Sequence, residues 1–198
     1  MEGADRHPAR LLRRRLSRRD GDHDALPPDQ SAPQGQSVTC DPAPDPEDDG
    51  GNVVRFTEFL RLLAPIEPAP LDPLAKLGRA AFRRARCDAC HSVKLKVDVA
   101  PVAGLSGKRL PMCSDLLLHD MGPALADGIP QGAASGSEWR TPPLWGLRFT
   151  APYLHDGRAA TLEEAVLAHA GEGAGARDRF LALDAGHRAA LPAFLGAL

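Results

Sequence analysis

The sequence predicts a mostly α-helical domain with long loops, preceded by a disordered tail. The first fifty residues contain no Phe, Trp, Tyr or Ile, so they cannot bury enough apolar surface to offset the entropy lost on ordering. Downstream of them, apolar residues recur at helical spacing in several segments. The stretches between these segments are rich in proline and glycine, which is typical of loops.

Length and charge narrow the class of protein. The 198 residues suit one domain, which we place at residues 53–198, with residues 1–52 as a disordered or truncated remnant. The net charge of -2 argues against nucleic-acid binding, because no overall basic excess is available to neutralise phosphates. No run approaches the roughly 18 to 20 consecutive apolar residues of a membrane span. We therefore expect neither a nucleic-acid partner nor a membrane span.

The first predicted helix covers residues 53–63. Its apolar side chains fall on one helical face, and prolines in residues 64–73 prevent its continuation. That face consists of Val53, Phe56, Phe59, Leu60 and Leu63.

Two helices are predicted to pack across each other near the two ends of the domain. The segment before Cys87 carries one apolar face, and Gly78 with Phe82 offers a notch for close crossing. That face consists of Leu74, Leu77, Ala81 and Phe82. The other helix is carboxy-terminal and presents Leu191, Phe194, Leu195 and Leu198. Because a proline inside a helix costs about 3 kcal/mol, Pro192 favours a start near Leu191 rather than at Asp184.

Residues 87–94, "CDACHSVK", contain two cysteines separated by two residues and followed at once by a histidine. Such a run could hold zinc, carry a redox disulfide or attach a haem covalently. An iron–sulfur cluster is disfavoured, because it generally takes four grouped cysteines and the sequence has a single CxxC. A thioredoxin-like site is disfavoured, because a helical pattern rather than a buried strand precedes Cys87.

Zinc stays as the alternative. Cys87, Cys90, Cys113 and His119 could form a Cys₃His site, in which thiolate and imidazole ligands both suit the ion. The second half, "CSDLLLH", lacks the short spacing that usually pairs with CxxC. A chain built this way would be a structural zinc-binding interaction module.

The haem interpretation gives every residue of the motif a role. Two thiols at this spacing can reach the two vinyl groups of a porphyrin as thioethers, and the adjoining imidazole falls beneath the iron. Cys87 and Cys90 are thus the predicted attachment points of one covalent haem c, and His91 is its proximal ligand.

His169 is the candidate for the second axial position. "TLEEAVLAHAGEG", residues 161–173, predicts a helix in which Thr161 caps, Glu164 completes a capping box and two glycines terminate. His169 shares a narrow arc of that helix with apolar residues, so it is expected to point inward. The arc also contains Leu162, Ala165 and Val166.

The other downstream histidines have open roles. His155 is either a loop residue held by Asp156 or a residue lining the haem edge. His119 and Met121 close an apolar run and are expected to pack, although either could reach a cofactor. His187 is expected to face solvent.

Longer stretches of sequence carry a resemblance to a known family. "RTPPLWGLRFTAPYLHDGRAATLEEAVLAHAGE" and "SDLLLHDMGPALADG", together with the CxxCH, resemble the bacterial di-haem oxidoreductases, also labelled thiol oxidoreductases and related to the di-haem cytochrome c peroxidases. The resemblance covers most of residues 53–198 and implies a cytochrome c-like helical domain. In those peroxidases the carboxy-terminal haem shuttles electrons and takes a distal methionine after "HDG". The spacing from His155 puts His169 at that position, which implies a bis-histidine, low-spin iron.

The resemblance also implies a setting for the domain. Family members are periplasmic and pass electrons to or from a redox partner protein, such as a cytochrome or another small carrier. The aromatic candidates for that contact are Trp145 and Tyr153, although packing is the preferred interpretation for Trp145. A disulfide between Cys40 and Cys113 stays open, because sequence cannot pair them.

The chain departs from the family pattern in one respect. Family members carry two CxxCH motifs, with the reactive haem in an amino-terminal domain, and this sequence carries one motif. No export signal is visible in it either, because the arginines of residues 10–19 are followed by polar residues rather than an apolar core. We interpret the chain as truncated, so stand-alone peroxidase activity is not expected.

Overall fold

The computed structural model describes residues 51–92, 95–98, 100 and 103–198. The chain divides into two compact units, Met1–Ala64 and Pro65–Leu198. The predicted disordered segment, apart from its last two residues, lies outside the described part, as does Cys40. The domain boundary that the sequence places at residue 53 stays a prediction.

Helices joined by long loops dominate the described residues, and one small sheet accompanies them. The helices are α1 (Gly51–Leu62), α2 (Pro73–Arg84), α3 (Leu162–Leu167), α4 (Ala174–Leu181) and α5 (Ala185–Ala197). The strands are β1 (Leu118–Asp120) and β2 (Glu138–Arg140), and short 3-10 turns cover Cys87–Ala89, Ala103–Leu105, Leu147–Phe149 and Gly171–Gly173. The fold is mixed: it contains the helices and long loops of the predicted mostly α-helical domain and also a small sheet that the sequence did not predict.

Helix α1 belongs to the first unit and confirms the predicted helix. It ends at Leu62, before the first proline of the following segment. The hydroxyl of Thr57 is buried and donates to the carbonyl of Val53 at 2.7 Å. The rings of Phe56 and Phe59 stack with centroids 6.3 Å apart, and both side chains are exposed.

Helix α2 begins at a strong cap. The Asp72 carboxylate accepts the amide of Ala75 at 2.7 Å, and Pro73 occupies the first helical position, where its missing N–H is not needed. The predicted buried face was partly wrong, because Leu74 and Leu77 are 49% and 37% exposed. The buried side of α2 instead consists of Ala75, Gly78, Ala81 and Phe82.

The shift of that face follows from the crossing of α2 with α5. A Cβ on Gly78 would overlap the backbone oxygen of Ala190 and lie 2.8 Å from the Cβ of Phe194. The two backbones can approach this closely only because residue 78 has no side chain. The notch predicted at Gly78 is confirmed, and the small residues of α2, rather than its leucines, face α5.

Helix α5 starts earlier than predicted. Asp184 caps it by accepting the amide of His187 at 3.0 Å, and the helix runs through Pro192. The expectation of a start near Leu191 was wrong, because the cap and the burial of Leu191, Phe194 and Leu195 offset the cost of the internal proline. His187 is half-buried rather than solvent-facing, since Arg84 donates to its Nε2 at 3.1 Å.

The core lies where α2, α4 and α5 meet. Phe180 of α4 and Ala81 of α2 are fully buried there, and the rings of Phe82 and Phe194 meet edge to face at 5.4 Å. Phe82 belongs both to this core and to the wall of the cavity described below.

Strands β1 and β2 form an antiparallel pair of three residues each. Their register places His119 directly opposite Trp139. Strands this short carry no readable period-2 pattern, which is why sequence periodicity missed them.

Among the helices of the described residues, none combines the length and the apolar character needed to cross a bilayer.

The helix crossing gives a direct test. Gly78→Ala should lower the free energy of unfolding by about 1–3 kcal/mol, because the added methyl has no space against Ala190. The matched control is Gly196→Ala on α5, where no atom lies within 4 Å of the added Cβ, so that variant should gain up to about 1 kcal/mol. Urea unfolding measures both, and equal effects of the two substitutions would contradict the close crossing.

Candidate functional site

The CxxCH motif forms a tight turn directly after α2. Arg86 adopts a left-handed conformation, with φ of 65°, that turns the chain out of the helix. The amide of His91 then donates to the carbonyl of Cys87 at 3.0 Å, so both thiols and the imidazole belong to one turn. Burial raises the pKa of Cys87 to about 11 and also raises the pKa of Cys90, so both thiols are protonated at neutral pH.

His91 is held by a backbone carbonyl. Its Nδ1 lies 3.1 Å from the carbonyl oxygen of Cys113, and because a carbonyl only accepts, Nδ1 carries the proton. Burial lowers the pKa of His91 to about 4, so the ring is neutral at pH 7. Its Nε2 therefore has an available lone pair, the state in which imidazole ligates a metal.

His169 is also held by a backbone carbonyl, which lies in helix α3. The predicted capping box is confirmed, since Thr161 accepts the amide of Glu164 and the Glu164 carboxylate accepts the amide of Thr161, both at 3.1 Å. Helix α3 ends at Leu167, however, and not at the glycines of residues 171–173. His169 thus lies just past the helix, where its Nδ1 donates to the carbonyl of Ala165 at 2.8 Å.

The tautomer of His169 follows from that bond. The Ala165 carbonyl only accepts, so the proton lies on Nδ1 and Nε2 keeps its lone pair. Burial lowers the pKa of His169, which keeps the ring neutral. Among the described residues, none hydrogen-bonds the Nε2 of His91 or His169.

One cavity of about 750 Å³ brings the four predicted site residues together. Its volume lies in the range of roughly 300–1,000 Å³ that is typical of small-molecule and cofactor pockets. Cys87, Cys90, His91 and His169 all line it. The predicted arc of α3 faces it as well, because Leu162, Ala165 and Val166 are wall residues.

Of the remaining candidates, His119, His155 and Met121 line the cavity, and His187 does not. Both ring nitrogens of His119 are engaged, Nε2 with Asp115 at 2.9 Å and Nδ1 with Glu172 at 2.8 Å. These hydrogen bonds raise the pKa of His119, and the bond with Glu172 has the larger effect. His119 is thus less available as a metal ligand than His91 or His169.

The cavity wall includes an aromatic stack that the sequence did not predict. The His155 ring lies on the indole of Trp139 with centroids 3.9 Å apart, and the Trp139 Nε1 donates to the Leu125 carbonyl at 3.0 Å. Of the two roles left open for His155, the structure shows it at the cavity wall, whereas Asp156 forms an ion pair with Arg158. Only the pairing of β1 with β2 brings Trp139 to the site, so no local signal could have identified it.

The two aromatic candidates from the sequence behave differently. Tyr153 lines the cavity, and its hydroxyl donates to the Leu147 carbonyl at 3.1 Å. Trp145 is half-buried and is not a wall residue, as expected for packing.

The alternative zinc ligands are not assembled. In the described part of the chain, the side chains close enough to share a metal ion are Cys90, Asp115 and His119, a set without Cys87 or Cys113. Cys113 is a buried free thiol, and Cys40, with which the sequence leaves a disulfide open, lies outside the described residues.

Comparison with known families decides the class of protein. A family model described as "Di-haem oxidoreductase, putative peroxidase" matches residues 44–198. The chain belongs to the di-haem oxidoreductase family. This membership supports a haem-related redox role, and the cavity has the volume of a cofactor pocket.

Two solved structures resemble this family member. Hydrazine synthase from Kuenenia stuttgartiensis is 19% identical with a TM-score of 0.50, and the match covers 74% of this chain and 55% of that one. A MauG-like protein associated with microbial copper homeostasis is 23% identical with a TM-score of 0.48, covering 77% of this chain and 57% of that one. The first likeness supports the fold alone, and this chain spans little more than half the length of either protein. None of the curated proteins matches.

The cap of α3 yields a prediction about the His169 segment. Thr161→Ala should lower the free energy of unfolding by about 0.5–2 kcal/mol, because the Glu164 amide loses its acceptor. Thr161→Ser keeps a hydroxyl acceptor and should retain most of the stability. Thermal or urea unfolding distinguishes the two variants, and equal losses would show that the hydroxyl does not act as a cap.

Proposed function

We propose that this chain is a c-type haem domain for electron transfer, forming the carboxy-terminal part of a di-haem peroxidase-like oxidoreductase. The observation that carries the proposal is that two histidines of the cavity are neutral and share the same tautomer. His91 and His169 each donate a hydrogen bond from Nδ1–H to a backbone carbonyl, and both line the same cavity as the two thiols of the CxxCH turn.

Cys87 and Cys90 are the proposed covalent anchors. Both thiols line the cavity, and addition of each S–H across one vinyl group would give two thioethers. The sequence contains one such motif, so we assign one haem c per chain. The adjoining imidazole of His91 would then be the proximal ligand.

The proposed iron is ligated by two imidazoles. The carbonyls of Cys113 and Ala165 orient the rings and fix their tautomers, the role that hydrogen-bonded partners of metal-bound histidine usually have. When bound, the haem would supply a one-electron iron couple, with a potential lower than that of a His/Met-ligated haem. If His91 and His169 both hold the iron, hydrogen peroxide would have no open site, so this ligand set would favour electron transfer over peroxidase activity.

The apolar wall suits that role. The cavity has an apolar lining that includes Phe82, Leu144, Leu162, Val166 and Leu191. Such walls control solvent access to a bound cofactor and thereby its potential.

The partner is proposed to be a redox protein in the periplasm, either a cytochrome or another small electron carrier. Family membership supports both parts of this proposal. Peroxide chemistry would need a second haem with open coordination, which we assign to a separate amino-terminal haem domain.

The covalent link can be tested in protein matured with haem. Visible absorption should survive acid–acetone extraction of the parent, because thioethers hold the cofactor, and Cys87→Ser with Cys90→Ser should abolish this retention. Cys113→Ala is the matched control, since that thiol does not line the cavity. A colourless parent containing zinc would instead support the zinc-binding interaction module.

The distal ligand can be tested separately. His169→Met should raise the reduction potential and keep the haem attached, because thioether ligation favours the reduced iron. His169→Ala should open the iron to cyanide, as measured by the shift of the absorption spectrum.

Two control variants accompany this test. His187→Ala removes a histidine away from the cavity, and Met121→Leu removes the thioether at its wall, so both should keep the parent spectrum. A parent-like spectrum in both His169 variants would contradict ligation by His169.

A further inference from the structure

On the cavity wall, His119 lies between two carboxylates and forms with them an ion triad that the proposed ligand set does not use. The Nε2 of His119 lies 2.9 Å from the Asp115 carboxylate, and the Nδ1 lies 2.8 Å from the Glu172 carboxylate. Ionised carboxylates only accept hydrogen bonds, so both ring nitrogens must donate and His119 is an imidazolium. Its side chain is only 16% exposed, and the Sγ of Cys90 lies 3.9 Å from the same Nδ1.

One acid of the triad belongs to the segment of the distal histidine. Glu172 lies in the turn Gly171–Gly173, shortly after His169. While one of its carboxylate oxygens binds His119, the other accepts the amide of Asp120 at 3.0 Å. The side chain of Glu172 thus joins the His169 segment to strand β1 through two hydrogen bonds.

The turn Gly171–Gly173 packs closely against the end of β1 and the residues that follow it. A Cβ on Gly171, whose φ is 52°, would lie 2.7 Å from the amide nitrogen of Gly122. A Cβ on Gly173 would lie 3.2 Å from the His169 ring and 3.0 Å from the methyl of Met121. The turn that carries Glu172 therefore packs closely against both the His169 ring and the residues that follow His119.

The other acid belongs to the segment that orients the proximal histidine. Asp115 follows shortly after Cys113, whose carbonyl accepts the Nδ1–H of His91. The backbone amide of Asp115 donates to the carbonyl of Cys90 at 2.9 Å. One imidazolium thus connects the segment that holds His91 with the segment that carries His169.

We propose that His119 is a positioning residue that fixes the two axial imidazoles relative to each other. It does so by binding Asp115 on the proximal side and Glu172 on the distal side. This inference rests on the proposed bis-histidine ligation. A cation between two acids is suited to this role, because charge-assisted hydrogen bonds are roughly twice as strong as neutral ones.

The test uses the full chain matured with haem and measures the rate constant for cyanide binding to the ferric protein. Cyanide can bind the iron only after His169 dissociates from it. The rate constant therefore measures how readily the distal imidazole dissociates. Glu172→Gln should accelerate cyanide binding by about tenfold, the equivalent of one lost charge-assisted hydrogen bond. His119→Gln should have an effect at least as large. Glu163→Gln, at an exposed glutamate on α3, is the matched control and should behave as the parent.

A double-mutant cycle separates positioning from a general loss of stability. If His119 acts through Glu172, the double variant His119→Gln, Glu172→Gln should bind cyanide no faster than the more affected single variant. Additive effects on the rate would overturn the inference, and so would parent-like rates in both single variants. Should His119→Gln fail to fold, Glu172→Gln alone still decides, because that side chain lies at the surface.

The same experiment distinguishes this inference from the proposed function. A cyanide-induced shift in His169→Ala combined with parent-like rates in the Glu172 and His119 variants would overturn the positioning role alone. A parent that binds cyanide as fast as His169→Ala would overturn both, since no distal histidine would then be on the iron.

Discussion

The site depends on two hydrogen bonds from imidazole rings to backbone carbonyls. The carbonyls of Cys113 and Ala165 each accept a hydrogen bond from an imidazole Nδ1–H. These bonds fix the tautomer and the orientation of His91 and His169. Burial keeps both rings neutral, as the lowered pKa values of the two histidines indicate. Backbone acceptors do not titrate and cannot rotate away, so the basic nitrogens are presented without a further ionisable partner.

The rest of the domain holds these carbonyls in place. The crossing of α2 and α5 at Gly78 anchors the end of α2, from which the CxxCH turn projects. The capping box at Thr161 fixes the start of α3, whose last turn supplies the Ala165 carbonyl. Between them, β1 carries His119 to the cavity wall. The elements that position the site are thus short, and each is defined by one or two specific contacts.

The sequence predicted the parts of this arrangement that local chemistry encodes. The CxxCH turn, the capping box and the inward arc ending at His169 each follow from the spacing of a few neighbouring residues. The structure places the turn and the arc at one cavity. Non-local contacts were out of reach. The buried face of α2 was mispredicted, because small residues rather than Leu74 and Leu77 meet α5. The stack of His155 on Trp139 requires a strand pairing too short to be read from periodicity.

His91 and His169 differ in their sequence distance from the two cysteines. His91 is contiguous with both cysteines and sits in the turn they form, whereas His169 lies near the other end of the domain. Contacts that are local in sequence form earlier and faster than contacts that close long loops. For the proposed haem domain, this order implies maturation in two stages. Covalent attachment at Cys87 and Cys90 would require only the short turn after α2, whereas His169 would reach the metal only after the segments near the end of the domain had packed.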